Sequence, residues 1–180
     1  MKKSIFIILA GILSSMVFIF PSLSIAQTAD QSSLSCQSLL PDSKIKEIFN
    51  VDPAALALGQ DTGSRGIVIN CVWKVQGAYR ELARFSIQRS VPFGWPALWN
   101  QGSYGTMDAI SGLGQGAFGS PNELAINVLS SDGKYYLHGR VRSLDDYATN
   151  GVTPQKTADF AQNQAMLKVV DANLNDHPSS

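Results

Sequence analysis

The sequence has only two histidines and two cysteines in 180 residues, and this scarcity limits the chemistry available to it. His177 lies in a C-terminal tail, and His138 lies in the middle of a predicted strand. A hydrolytic triad needs a nucleophile, a base and an orienting acid together, and no G-x-S-x-G motif marks a nucleophilic serine. We therefore expect no enzymatic activity and no cofactor. A hydrolase that works through His138 is the alternative.

The chain also lacks a surplus of charge of either sign. It carries 14 basic and 14 acidic residues. Removal of the N-terminal segment discussed next takes away Lys2 and Lys3 and leaves 12 basic residues against 14 acidic ones. Because non-specific nucleic-acid binding requires a basic surplus, we expect no nucleic-acid partner.

Long apolar runs are absent except at the N-terminus. Two lysines precede the apolar residues 5–20, and Ser24 and Ala26 are small residues at the −3 and −1 positions before Gln27. A transmembrane anchor is the alternative, although a spanning helix needs about 20 residues. We predict a cleaved signal peptide at 1–26 and a mature chain without a transmembrane segment. Such a chain is exported, periplasmic or secreted.

Export to an oxidising compartment predicts that the two cysteines form a disulfide. Only the pairing Cys36–Cys71 is possible, and it closes a loop of 36 residues. In the chain-entropy estimate such a loop stabilises the fold by roughly 3.5–4 kcal/mol. A metal or redox site would need closer spacing or histidine partners, so we expect no metal site.

A strictly alternating stretch at 66–75 predicts the first strand, with an apolar face formed by its odd-numbered residues. The next strand, 79–89, has a matching apolar face of odd-numbered residues. A three-residue loop at 76–78 keeps these faces together and predicts a hairpin register in which 71 pairs with 83 and 69 with 85.

A second hairpin is predicted from residues 123–130 and 135–142, which flank Ser131-Asp132-Gly133-Lys134. The Asp-Gly pair favours a type I′ turn. The register that follows pairs 128 with 137 and 126 with 139, and it places the apolar residues of both strands on one face.

Helices are predicted at both ends of the domain. Pro41 suits the first position of a helix that ends at Asn50, and Asp52 caps a short helical turn that extends to residue 58. Thr153 caps a last helix that runs from Pro154 to about residue 174. Its stripe of small residues (Ala158, Ala161, Ala165 and Val169) is expected to approach the sheet closely.

Two segments between the hairpins invite functional interpretations. Trp95, Leu98 and Trp99 have helical spacing and either line an aromatic groove or anchor a short helix to the core, and we favour the anchor. The glycines at 112–116 precede a strand rather than a helix, so a phosphate-binding loop is not expected.

The order of elements predicts an α+β fold with an antiparallel sheet of at least four strands and helices packed on one face. The helix-plus-hairpin unit looks loosely duplicated. Within this fold we assign 27–35 as a disordered lead-in, 36–174 as a single domain and 175–180 as a tail.

Three short motifs resemble a loose set of secreted, often lipid-anchored actinobacterial proteins and sensor-like extracytoplasmic domains of unknown function. They are Cys36 with Leu39-Leu40 and Pro41, Cys71-Val72-Trp73, and Ile110-Ser111-Gly112-Leu113-Gly114 with Ala117. The resemblance implies a paired disulfide and a sheet with helices packed on it, and it implies no catalytic residues. No cysteine stands at the cleavage site, so lipid anchoring is not carried over.

The predicted registers place many basic residues on the sheet face away from the core, and no acidic ones. If both hairpins share one sheet, this face carries five basic residues, an aromatic ring and an imidazole: Lys74, Arg80, Arg84, Tyr136, His138, Arg140 and Arg142. Arginine recognises carboxylate and phosphate groups through bidentate hydrogen bonds. The alternative is a solvated face, or one partly hidden by the last helix.

The sequence therefore predicts a non-enzymatic, exported binding domain of the bacterial cell envelope. Its expected partner is an unknown acidic protein or an anionic small ligand. A second interpretation is a periplasmic immunity or inhibitor protein that neutralises a specific toxin or enzyme.

Overall fold

The computed structural model describes residues 34–62, 67–76, 81–89, 94–96, 100–102, 105–142 and 153–176. Outside these residues lie the predicted signal peptide, most of the lead-in and residues 143–152, which follow the second hairpin. So do Leu98 and Trp99 of the predicted short helix, whereas Trp95 and Pro96 lie in a turn.

Two short helices and a turn open the described chain. Helix α1 (Cys36–Leu39) begins with a capping box between Ser35 and Ser38, and α2 (Asp42–Phe49) ends at Asn50, whose φ of 52° is left-handed. The sequence predicts Pro41 as the first residue of this helix. In the structure, Pro41 is instead the residue before α2. Asp52 caps a 3₁₀ turn at Pro53–Ala55 by accepting a hydrogen bond from the Ala54 N–H.

The helical turn predicted up to residue 58 is wrong, because Leu56 begins a strand. Strand β1 (Leu56–Asp61) pairs antiparallel with β2 (Ile67–Val75) in an unbroken register from Leu56–Val75 to Asp61–Asn70. Only Leu56 of this strand is buried. The strand is formed by backbone hydrogen bonds to β2, and its side chains carry no alternating signal.

Seven antiparallel strands of the described chain form one sheet in the order β1-β2-β3-β9-β8-β7-β6. The strands after β2 that belong to it are β3 (Glu81–Gln88), β6 (Asp108–Ala109), β7 (Gly116–Ser120), β8 (Ala125–Leu129) and β9 (Tyr136–Val141). Between β3 and β6, the short strands β4 (Gln101–Gly102) and β5 (Gly105–Thr106) pair with each other as a separate ribbon. The α+β fold and an antiparallel sheet of more than four strands are thus confirmed.

The sheet is built from a three-strand meander (β1-β2-β3) and a four-strand meander (β6-β7-β8-β9) that join through their last strands. The first predicted hairpin gains one strand, β1, and the second gains two, β6 and β7. Strand β3 then pairs antiparallel with β9, with Phe85 opposite Gly139. Both predicted hairpins therefore share one sheet.

The two predicted registers had different outcomes. The second hairpin has the predicted pairs Val128–Leu137 and Ile126–Gly139. In the first hairpin, Cys71 pairs with Phe85 rather than with residue 83. Between Ile69 and Trp73, this shift of two residues keeps the side chains on their predicted faces, because strand side chains alternate with a period of two.

The turn of the second hairpin differs from the predicted type I′. A type I′ turn needs positive φ at both central residues, and here only Gly133 has one, at 73°. The Gly133 N–H donates to the Ser130 carbonyl at 2.9 Å, and the Ser130 N–H donates to the Tyr135 carbonyl at 2.9 Å. The loop therefore spans four residues, and it preserves the register because it is symmetric about the predicted centre.

The core lies between the sheet and the helices. Odd-numbered residues of β2, β3 and β9 enter it together with even-numbered residues of β8. The predicted disulfide joins Cys36 of α1 to Cys71 of β2 across a Cα–Cα distance of 5.7 Å. Trp73 packs beside Phe85 with ring centroids 5.6 Å apart. These residues are structural.

Helix α3 (Pro154–Asn175) begins at the predicted cap Thr153 and crosses β8 and β9 on the core side. The predicted contact of its small residues with the sheet is wrong, since Ala158 and Ala161 are exposed. Its buried side carries Met166, Leu167, Val170 and Leu174 together with polar residues. Leu167, Val170 and Leu174 also form an apolar stripe in the sequence, and the buried polar residues interrupt that stripe.

Two of these buried polar residues hold the helix to the second hairpin. The side-chain amide of Asn163 donates to the Gly139 carbonyl at 3.0 Å and to the Leu124 carbonyl at 3.2 Å. The carboxylate of Asp171 accepts from the Ser131 N–H at 2.9 Å. These bonds fix α3 to one face of the sheet and leave the other face to different neighbours.

The disulfide gives a first stability prediction. We expect the double variant Cys36→Ala, Cys71→Ala to lose roughly 3–4 kcal/mol of unfolding free energy, because the unfolded chain is no longer restricted by the closed loop. Urea unfolding followed by circular dichroism measures this loss. A reducing agent should destabilise the wild type and leave the variant unchanged, and a loss below about 1 kcal/mol would contradict the prediction.

Gly139 gives a second prediction, because α3 lies close above it. A Cβ at this position would lie 2.6 Å from Asn163 Oδ1 and 2.7 Å from Leu167 Cδ1. We expect Gly139→Ala to cost about 1–3 kcal/mol in urea unfolding, as overpacking does. Gly59→Ala on β1 is the matched control, because its Cβ would meet only Val72 O at 3.8 Å. Equal stability of the two variants would show that α3 does not approach β9 this closely.

Candidate anion-binding site

The sheet face that points away from α3 is called the outer face here. Around the junction of β3 and β9 it carries Arg84 and Ser86 from β3 and His138 and Arg140 from β9. Asn127 of β8 extends the row, because it pairs with His138. The helices lie on the other side of the sheet, so the expected alternative of a face hidden by the last helix is wrong.

Two arginines are direct partners across the central strand pair, since Arg84 of β3 lies opposite Arg140 of β9. Directly opposed side chains have Cβ atoms about 4.5–5.5 Å apart, and like charges in such pairs are destabilising. Arg140 Nη2 donates to the backbone carbonyl of Glu123 at 3.3 Å. The main feature of this site is therefore a pair of arginines in directly opposed positions.

Glu81 also contacts this pair, which corrects the expectation of a face without acidic residues. Its carboxylate forms an ion pair and a short hydrogen bond with Arg84 Nη2. Glu81 has the odd numbering of the core-facing residues Ala83 and Phe85. A register irregularity between Trp73 and Lys74 places Lys74 opposite Glu81. Such bulges redirect side chains, and here Glu81 reaches the arginine on the outer face while Leu82 packs against the core.

His138 is held as a neutral imidazole with a defined orientation. Asn127 Oδ1 accepts from Tyr136 Oη at 2.6 Å and lies 2.8 Å from His138 Nδ1. Because an amide oxygen only accepts, Nδ1 carries the proton and Nε2 is an acceptor. Burial, together with the smaller effect of the charges of Arg140 and Arg84, lowers the pKa of His138 to about 4. The ring adds no positive charge to the arginine pair at neutral pH.

One half of the outer face is covered by residues from the segment between the two meanders. The Trp95 ring makes edge contacts with Phe118 and Tyr136, at centroid distances of 5.6 and 5.8 Å. Met107 is buried, and its sulfur accepts from Asn127 Nδ2 at 3.6 Å. Trp95 is thus an anchor, as favoured from the sequence, but it contacts the outer face rather than the core. Burial also raises the pKa of Tyr136.

The predicted site residues are only partly brought together. Arg84, Tyr136, His138 and Arg140 lie in neighbouring outer-face positions of β3 and β9. Lys74 is exposed at the register irregularity, and Arg142 follows β9 with its backbone N–H donating to Leu82 O at 3.0 Å. Arg80 lies outside the described residues. A solvated face is also wrong at one end, because Tyr136 and Asn127 are only 3% and 5% exposed.

The sequence held one signal for Glu81 that the strand prediction did not use. The alternation of Ala83, Phe85 and Ile87 would place Glu81 on the apolar face and Leu82 on the polar one. A charged and an apolar residue that both violate the pattern at the end of a strand indicate a bulge. The covering residues Met107 and Phe118 had no comparable signal, because their contacts join distant parts of the chain.

Comparison with known proteins gave no match to any family model, curated protein or solved structure. The resemblance to secreted actinobacterial domains therefore stays a prediction. Within the described ranges, no helix is long and apolar enough to cross a membrane. The same part of the chain contains no group of three or more histidine, cysteine, aspartate or glutamate residues placed to hold a metal ion.

The lowered pKa of His138 predicts a pH-dependent stability. The unfolded chain protonates this imidazole near pH 6.5, whereas the folded protein does so only near pH 4. Acidification from pH 6.5 to 4 therefore favours unfolding, by up to about 2–3 kcal/mol. Urea unfolding at a series of pH values measures this loss.

The control for this prediction is His138→Gln, which removes the titration and retains a hydrogen-bonding side chain. His177 is present in both proteins, so its titration cancels in the comparison. The wild type should lose more stability than the variant between pH 6.5 and 4. Parallel pH profiles would show that His138 is not held neutral by the fold.

Proposed function

We propose that this protein is an exported, non-enzymatic binding domain of the bacterial cell envelope. In this proposal the outer face binds an anionic group, carried by a small ligand or an acidic partner protein, with Arg84 and Arg140 as the main contacts. The observation that carries the proposal is the direct cross-strand pairing of these two arginines. Like charges in directly opposed positions repel each other, and a bound anion would relieve this repulsion.

The chemistry of the surrounding residues supports this assignment. Guanidinium groups present planar arrays of N–H donors that match carboxylate or phosphate oxygens. Arg84 is accessible to a ligand, because its side chain is 41% exposed. The neutral ring of His138 lies in the next row of β9. Because its unprotonated Nε2 is an acceptor, the donors for an anion come from the arginines.

The structural disulfide and the N-terminal sequence support export. A bond between Cys36 and Cys71 is compatible with an oxidising compartment outside the cytoplasm. The apolar N-terminal segment carries the features of a signal peptide. Together they favour a location at or beyond the cell envelope.

The double variant Arg84→Glu, Arg140→Glu tests the proposal, with succinate and a hexaglutamate peptide as probes. We expect calorimetry at low salt to show binding by the wild type and at least a tenfold weaker affinity in the variant, since two donors become acceptors. A second double variant, Arg84→Gln, Arg140→Gln, removes both positive charges without adding negative ones. If its circular dichroism spectrum is native, a loss of binding does not come from misfolding.

The matched control is Lys46→Glu, Lys168→Glu, which makes the same change in net charge at exposed positions on α2 and α3. Its affinity for both probes should stay within about twofold of the wild type, because these lysines lie on the helix side of the sheet and do not contact a ligand on the outer face. An equal loss in the control would assign the binding to overall charge. Absence of binding by the wild type would contradict the proposal.

A further inference from the structure

Arg84 offers two neighbouring donors, and only one of them is used by its neighbour Glu81. The Glu81 carboxylate is bound to Nη2. The Nε atom of the same guanidinium is buried and has no hydrogen-bond partner among the described residues. A carboxylate that approaches an arginine along this edge can satisfy Nε and Nη2 together through two parallel hydrogen bonds. Arg84 is therefore only half satisfied by its internal partner.

The position of Glu81 explains why it takes only one donor. It lies three residues before Arg84 on the same strand, and regular alternation would put two such residues on opposite faces. The bulge at the Lys74–Glu81 pair brings its side chain round to the outer face. An intrastrand carboxylate constrained in this way reaches Nη2, whereas an external carboxylate is free to align with both donors.

The contact is also open to replacement by a ligand. The side chains of Glu81 and Arg84 are 29% and 41% exposed, so solvent reaches the ion pair. Ion pairs with this exposure contribute little stability, and their loss costs the fold little. Arg140 on the adjacent strand supplies a second cationic group beside the same position.

We propose that Glu81 is an internal competitor of the ligand, and that the site takes a carboxylate which displaces Glu81 and pairs side-on with Nε and Nη2 of Arg84. This inference rests on the proposed function and specifies its ligand class. The bound carboxylate belongs to a small acid or to an acidic side chain of a peptide, and the two probes distinguish these sources. Glu81 sets the affinity of the site by keeping it partly occupied.

The test is succinate and hexaglutamate binding to Glu81→Gln, with Glu81→Asp as its partner variant. Glu81→Gln should bind about tenfold more tightly than the wild type. Glu81→Asp keeps the charge but shortens the side chain by one methylene, so it should also bind more tightly, by about threefold or more. Glu47→Gln, which breaks the exposed Lys44–Glu47 pair on α2, removes the same charge elsewhere and should leave the affinity unchanged.

The outcomes separate this inference from the proposed function. One outcome is that the two Glu81 variants bind as the wild type does while the arginine double variant loses binding. In that case the outer face binds anions, but Glu81 does not compete with them. If only Glu81→Gln gains affinity and Glu81→Asp does not, the effect is one of charge and direct competition is excluded. Tighter binding of inorganic phosphate than of succinate would overturn the carboxylate assignment.

A spectroscopic measurement adds a direct view of the contact. The Arg84 Nε–H proton, assigned by comparison with Arg84→Lys, should shift downfield in an ¹H–¹⁵N spectrum when succinate saturates Glu81→Gln, because the donor gains an acceptor. An unchanged Nε–H resonance at saturation would show that the ligand does not use this edge of Arg84.

Discussion

The pairing of β3 with β9 is the interaction on which the rest of the structure depends. It joins the three-strand meander β1-β2-β3 to the four-strand meander β6-β7-β8-β9, and it places Phe85 beside Gly139 on the core side. Without it, each meander would offer only part of an apolar face to α3, and a small antiparallel unit gains little stability alone. The same pairing aligns Arg84 with Arg140, so the core and the candidate site have one common cause.

The two sides of the junction between β3 and β9 differ in packing and in charge. On the core side, α3 approaches β9 because Gly139 has no side chain, and the buried side-chain amide of Asn163 donates to the Gly139 carbonyl. On the outer side, two arginines occupy opposed positions next to a neutral imidazole. Burial and the arginine charges keep His138 uncharged, so the positive charge is concentrated on the arginines. Concentrated charge of this kind is typical of sites that recognise an anion.

The sequence predicted correctly those features that two independent local signals indicate. In the second hairpin, alternation and turn centre indicated the same register, and that register is observed although the turn type differs. The central pairs of the first hairpin are shifted by two residues, and the bulge near Lys74 accounts for one of the two. Strand β1 was missed because only pairing with β2 specifies it. The contacts of Trp95 with Phe118 were missed because they join segments without any shared pattern.

The most direct test of this account is the detection of contacts between β3 and β9 by nuclear Overhauser effects on the oxidised protein. The account predicts cross-strand backbone contacts between Arg84 and Arg140, and between Ser86 and His138. These contacts would establish that the arginines are direct neighbours on the outer face. Their absence, or a register in which Arg84 lies two residues away from Arg140, would contradict both the fold and the binding site derived from it.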